Sequence, residues 1–293
     1  MTAQTLSLAP EVTEPKPNPK RNTPNVLYHA LMILIVLIWL IPLLWMLSLA
    51  LTPNDVLKTN SQSLLPQGFT LSNFADAFLT GATLRWFLNS TIVTVITTIV
   101  TVVVCAMAGY AFAKLPFAGR LAVYSLTLAG MMVPKEAMFI PLFMMFSDIN
   151  LHNTYLALIL PRIAFPLGVF IMTQFFAQVP DEIQEAASID GASSWRIFYS
   201  VMLPLARPSL IALATFTFVQ TWNDYLWPLV SATKPAMFTI TTGLASLQGT
   251  FSQSTELGSL MARGIVGTLP LLLVFVFFQK YLIRGVSMSS GEK

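Results

Sequence analysis

Apolar residues run along this chain in long unbroken stretches, not in the short alternating or half-helical patterns of a soluble fold. The first begins abruptly at residue 26 and continues to about 51; others cover roughly 86–113, 121–146, 155–177, 209–232 and 259–282. A helix needs about 20 predominantly apolar residues to cross the hydrocarbon core, so each stretch is long enough for one crossing. Helices are expected over barrel strands because the runs are continuous, and because backbone groups in lipid must be bonded within their own segment. The predicted fold is an all-α membrane protein with six transmembrane helices. The first run is too long for the apolar region of a cleaved signal peptide. Pro42, Pro134, Pro141, Pro161, Pro166, Pro228 and Pro270 fall in or near the runs, where they kink or locally unwind helices.

The polar remainder divides the chain further. Residues 1–25, rich in Pro, Thr and charge, read as a disordered tail, followed by a transmembrane domain over 26–285 and a short C-terminal tail, 286–293. Six crossings place both termini on one side. With the N-terminus in the cytoplasm, ten Lys and Arg, among them Lys114, Arg120, Arg196 and Arg207, fall on the cytoplasmic side, against six outside or within the runs. That asymmetry favours cytoplasmic termini in an inner membrane. It also makes 181–208 the longest cytoplasmic connection, and places 52–84 and 233–258 outside.

Composition agrees with a lipid setting: 55% of the 293 residues are hydrophobic and only 10% charged. The net charge of +3 is not gathered into a basic run clear of the apolar segments, which argues against a nucleic-acid partner. One cysteine, Cys105, lies inside an apolar run, where it reads as packing and can form no internal disulfide.

The segment 181–208 is unusual in being both polar and patterned. Pro180, Asp181 and Glu182 open a helix, since acidic groups favour its positive end. Ile183, Ala186 and Ala187 share a face, and Gly191 supplies the left-handed turn that ends it. Ser193 or Ser194 caps a second short helix with an apolar stripe of Trp195, Phe198, Val201 and Met202, until Pro204 and Pro208 redirect the chain. By amphipathicity alone this hairpin equally suits a position in the lipid interface.

The string "EAASIDGASSWRIFYSVMLPLARP" resembles the EAA signature of the inner-membrane permease subunits of bacterial binding-protein-dependent ABC importers, with Glu185, Ala186, Ala187, Gly191, Leu203 and Pro204 at its positions. "FTLSNFADAF", "FLNSTIVTV", "AGYAFAKLPFAGR", "MMVPKEAMFIPLF", "TFVQTWNDYLWPL" and "GTLPLLLVFVFFQKYLIRG" resemble, in order, the sugar-uptake branch and its maltose-type six-span subunit. The resemblance implies that 181–208 carries a coupling helix, between the fourth and fifth spans, that docks on a cytoplasmic ATPase. It implies as partners a second and distinct permease subunit, two ATPase subunits and an extracytoplasmic solute-binding protein, with ATP and Mg held by the ATPase and no cofactor by this chain. In that setting Ala186 and Ala187 allow close approach to a groove, Glu185 pairs with a basic group or caps amides, and Asp190 before Gly191 is a turn residue or a further contact.

For chemistry of its own the chain offers little. No GxxxxGK[ST] loop is present, and His29 and His152 are far apart, so an enzyme is not indicated and no metal site is expected. Candidates for a solute path are Arg162, a charge that must avoid lipid, and the cluster Trp222, Asn223, Asp224 and Tyr225. Aromatic faces beside amide and carboxylate groups suit a hydroxylated solute; an interfacial aromatic belt is the competing reading. The expected function is ATP-driven import of a carbohydrate by alternating access. Import of another solute such as glycerol phosphate, or secondary transport without an ATPase, are the alternatives.

Overall fold

A computed structural model of the protein describes residues 26–58, 65–79, 81–251 and 256–287. Among them every regular element is helical. The expected tail over 1–25 lies outside the described residues, as do 288–293. The chain divides into two compact units, one ending at Leu44 and one beginning at Trp45. In the described part of the first unit, helix α1 (Val26–Leu51) exposes apolar side chains all round, as a helix surrounded by lipid does, and continues through Pro42.

The second unit opens with the last turns of α1, then α2 (Asn54–Leu57), α3 (Ser72–Leu79), the long α4 (Gly81–Lys114), α5 (Arg120–Ala129) and α6 (Phe139–Asp148). Next come α7 (Tyr155–Ile163), α8 (Pro166–Gln178), α9 (Asp181–Ile189), α10 (Ser194–Ile197), a π-helical turn at Phe198–Met202, and α11 (Leu203–Leu205). The chain closes with α12 (Arg207–Trp222), α13 (Leu226–Ser231), α14 (Ile240–Phe251) and α15 (Leu257–Ser287). Among the described residues, helices α1, α4 and α15 are long and apolar enough to cross a membrane unaided, and the number rises to as many as six if each of three bent pairs is one crossing.

The bends qualify the continuous runs expected from hydropathy. The run over 121–146 breaks by 96° between Met132 and Lys135. Pro134 there lacks an N–H and forces Val133 out of the helical region, to φ −81° and ψ 118°. The run over 155–177 bends by 45°, with Ala164 extended and Phe165 out of the helical region just before Pro166. The run over 209–232 is two helices, since α12 stops at Trp222 and α13 starts at Leu226, and α12 itself turns 78° from the Ser194–Leu205 segment. Pro270, by contrast, lies inside α15 without ending it.

The segments 52–84 and 233–258, expected as outer loops, hold helices of their own. Helices α2 and α3 are clasped to α15: Asn73 Nδ2 donates to the carbonyls of Ala50 and Thr52, each at 2.9 Å, Asn54 Nδ2 donates to Asn73 Oδ1 at 3.0 Å, and the Gly258 N–H donates to Asn54 Oδ1 at 2.9 Å. These amide bonds satisfy buried backbone where no helix ladder does.

Helix α4 is the centre of the second unit, packing on α7, α8 and α12. One stripe of it, Ser90, Thr94, Thr97, Thr101 and Cys105, is buried and small, which allows close helix approach where no large side chain intervenes. At Gly109 a Cβ would stand 2.5 Å from Met172 Cβ and 2.8 Å from the Met172 carbonyl carbon, so only glycine lets α4 meet α8 there. Toward the end of α4 its residues Cys105, Ala106 and Tyr110 join Met172, Phe176, Phe198, Met202 and Leu213 in one buried apolar cluster.

Candidate functional site

Two features stand out on this frame. The first is a cavity of about 410 Å³ where three helix breaks converge. Lys135 and Glu136 reach it from the break before α6, Arg162 from the last turn of α7, and Asn223, Asp224 and Tyr225 from the break between α12 and α13. Arg162 Nη2 and Asp224 Oδ2 form an ion pair, with their side chains 21% and 11% exposed. The break holding Asp224 is pinned by its own backbone: the Asp224 N–H donates to Thr221 O at 3.2 Å, and Thr241 Oγ1 donates to Asp224 O at 2.7 Å. Asn223 Nδ2 donates to Val219 O at 2.9 Å, while the residue itself remains exposed.

Four of the five residues proposed from sequence for a solute path therefore line one cavity. Trp222 does not. Its indole is 3% exposed, donates to Gly267 O at 3.0 Å, stacks on Phe218 and meets Phe87 edge-on, so it packs α12 against α15 and α4. Trp227 is also buried, donating to Ala157 O at 2.8 Å. Sequence reasoning missed Lys135, Glu136 and Phe139 as lining residues. The available signal was a proline followed by a Lys–Glu pair inside an apolar run.

The second feature is the hairpin at 181–208. Helix α9 ends in a double turn bond: Gly191 N–H donates to Ser188 O and Ala192 N–H to Ala187 O, both at 3.0 Å, with Gly191 at φ +79°. This is the Schellman arrangement, in which a left-handed residue just past the helix satisfies its last carbonyls. Asp190 is the capping residue before it. Ser193 Oγ then accepts from the Arg196 N–H at 3.4 Å and caps α10.

The two halves of the hairpin differ in burial. Glu185, Ala186 and Asp190 are exposed, Ala187 is half-buried, Ile183 is partly covered, and Ile189 faces outward at 87% exposure. Beyond the turn, Ile197, Phe198, Met202 and Ala206 are buried in the core. Of the apolar stripe, Phe198 and Met202 are buried while Trp195 is 63% exposed. Leu203 and Pro204 continue the chain through α11 at the joint with α12. The hairpin is thus anchored by its second half and presents its first.

The family described as binding-protein-dependent transport system inner membrane component matches residues 105–288, which include the hairpin and the Arg162–Asp224 pair. The chain belongs to this family. It is 35% identical to the arabinooligosaccharides transport system permease protein AraQ of Halalkalibacterium halodurans, over 92% of this chain and 98% of that protein. It is also 35% identical to the diacetylchitobiose uptake system permease protein NgcG of Streptomyces coelicolor, over 89% and 87%, and 33% identical to the trehalose transport system permease protein SugB of Mycobacterium tuberculosis, over 85% and 90%. The fold is similar to that of a bacterial ABC transporter involved in the import of the acidic polysaccharide alginate, with a TM-score of 0.76 over 92% of this chain and 99% of that one, at 18% identity. As a member of the permease family, this inner-membrane chain is a transport component of a multi-subunit system and not an enzyme; ATP is hydrolysed on a separate subunit.

Proposed function

We propose that this chain is one permease subunit of a carbohydrate importer, lining part of a path that opens to one side of the membrane at a time. Its permease relatives bear the names of arabinooligosaccharide, diacetylchitobiose and trehalose systems, which supports a sugar or short oligosaccharide as cargo. The observation that carries the coupling role is the anchored, outward-facing hairpin: α9 carries Glu185, Ala186 and Ala187 on exposed or half-exposed positions and is closed by the hydrogen-bonded turn at Gly191. Such a helix suits a groove on a cytoplasmic ATPase, with two small alanines allowing close approach and Glu185 free to pair with a basic group. On this reading the hairpin and both termini are cytoplasmic, the complex holds a second, distinct permease, two ATPase subunits and a solute-binding protein outside, and ATP and Mg are bound by the ATPases alone. The cavity at Arg162, Asn223, Asp224 and Tyr225 lies on the path; its amide, phenol and charged groups match a hydroxyl-rich cargo.

The test is purification of the chain in mild detergent from its native membrane, beside a Gly191→Val variant. A β-branched residue at φ +79° is strained, although no neighbour lies within 4 Å of its Cβ position. The native chain should bring down an ATPase and a second permease; the variant should insert normally and lose ATPase or uncouple hydrolysis from uptake. Normal ATPase recovery and normal uptake in the variant would remove the docking role from the hairpin.

A further inference from the structure

Lys114 is the last residue of α4, and its side chain is only 5% exposed. Its ammonium donates to the carbonyl of Val179 at 2.6 Å and pairs with Asp181 Oδ1 at 2.5 Å. Val179 caps the C-terminal end of α8, and Asp181 begins α9. One buried cation therefore joins three helix ends. It lies where the partial negative charge of α8 emerges, satisfies a carbonyl that has no helical partner, and holds the acidic first turn of α9. Val179 and Pro180 alone connect α8 to α9, so this contact sets the direction in which α9 leaves the core.

We propose that Lys114 is the positioning residue that locks the exposed helix α9 to the central helix α4, so that displacement of the hairpin is transmitted to the membrane helices. This rests on the docking role proposed above for the hairpin. The two partners contribute unequally. Asp181 is 77% exposed, and water screens its share; the Val179 carbonyl and the buried ammonium hold the joint. A neutral apolar residue at 114 would leave that carbonyl bare and let α9 swing relative to α4.

The measurement is solute imported per ATP hydrolysed, by the complete importer in proteoliposomes, for Lys114→Met, Lys114→Gln, Lys114→Arg and Asp181→Asn, with Gly191→Val alongside. Lys114→Met should lower the ratio by about tenfold while the ATPase still co-purifies, in keeping with the loss of one charge-assisted hydrogen bond. Lys114→Arg should stay within about twofold of the native ratio, Lys114→Gln should fall between, and Asp181→Asn should be near native. A native ratio in Lys114→Met, or an equal loss in the Arg and Met variants, overturns the role. If Lys114→Met does not accumulate, the Gln and Arg variants decide by the same ranking, with equal ratios counting against it. Uncoupling by Gly191→Val with a native Lys114→Met would sink Lys114 alone; native behaviour in Gly191→Val would sink the hairpin's docking role.

Discussion

The ion pair between Arg162 and Asp224 joins two helix breaks that the chain brings together from 62 positions apart in sequence, and its energetic weight follows from its surroundings. Two unit charges in contact interact by about 4 kcal/mol at an effective dielectric constant near 20. With side chains 21% and 11% exposed, part of that is lost to solvent, but removal of either partner strands the other in a sheltered place. Asp224→Asn and Arg162→Gln should therefore each cost about 2–3 kcal/mol. Scaled to a chain of this length, this corresponds to a fall of roughly 3–5 °C in thermal midpoint. The double variant strands no charge and should be less destabilised than the sum of the singles by at least about 1 kcal/mol. The assay is thermal unfolding of all four forms in the same detergent, paired with uptake in proteoliposomes. Additive losses would refute the pairing as an energetic unit. Asp224→Asn should also alter uptake while leaving the ATPase bound; unchanged uptake and unchanged solute dependence would take Asp224 off the path.

Two further outcomes follow from packing. Gly109→Ala drives a methyl group to 2.5 Å from Met172 Cβ and 2.8 Å from backbone atoms of Met172 and Thr173, so it should cost about 3 kcal/mol and lower the thermal midpoint, whereas a native midpoint would show that α8 can yield. Cys105, wholly buried between α4 and its neighbours, should resist a membrane-permeant maleimide in the folded chain and react after denaturation, and rapid labelling of the folded form would contradict the packing of α4.

The helical membrane class and the hairpin were legible because their signals are local. Pro180, Asp181 and Glu182 announce the start of α9, and Gly191 and Ser193 carry out the turn and cap expected of them. Hydropathy was blind to the breaks, because a run keeps its mean apolarity whether or not its axis turns. The chain breaks just before Pro134 and Pro166 but runs on through Pro270, so a proline in an apolar run does not by itself place a break. Trp222 was misplaced for a related reason. An aromatic residue beside polar neighbours reads as a binding surface, yet the indole of Trp222 found the Gly267 carbonyl.

The convergence of charge at the cavity has one physical origin. A break in a helix within an apolar environment leaves backbone N–H and C=O groups without helical partners, and these are tolerated only where protein or water can meet them. Three breaks spread over the molecule would need three such environments. Gathered together, they share one, and that shared polar space is also the one place where Lys135, Glu136, Arg162 and Asp224 escape the cost of lipid. The breaks and the charges beside them are thus parts of one device: Pro134 stands next to Lys135, Arg162 sits in the last turn of α7 just before the break at Pro166, and Asp224 lies in the gap that closes α12. Replacing a charge therefore disturbs the break as well as the cavity, which is why stability and uptake have to be read on the same variants.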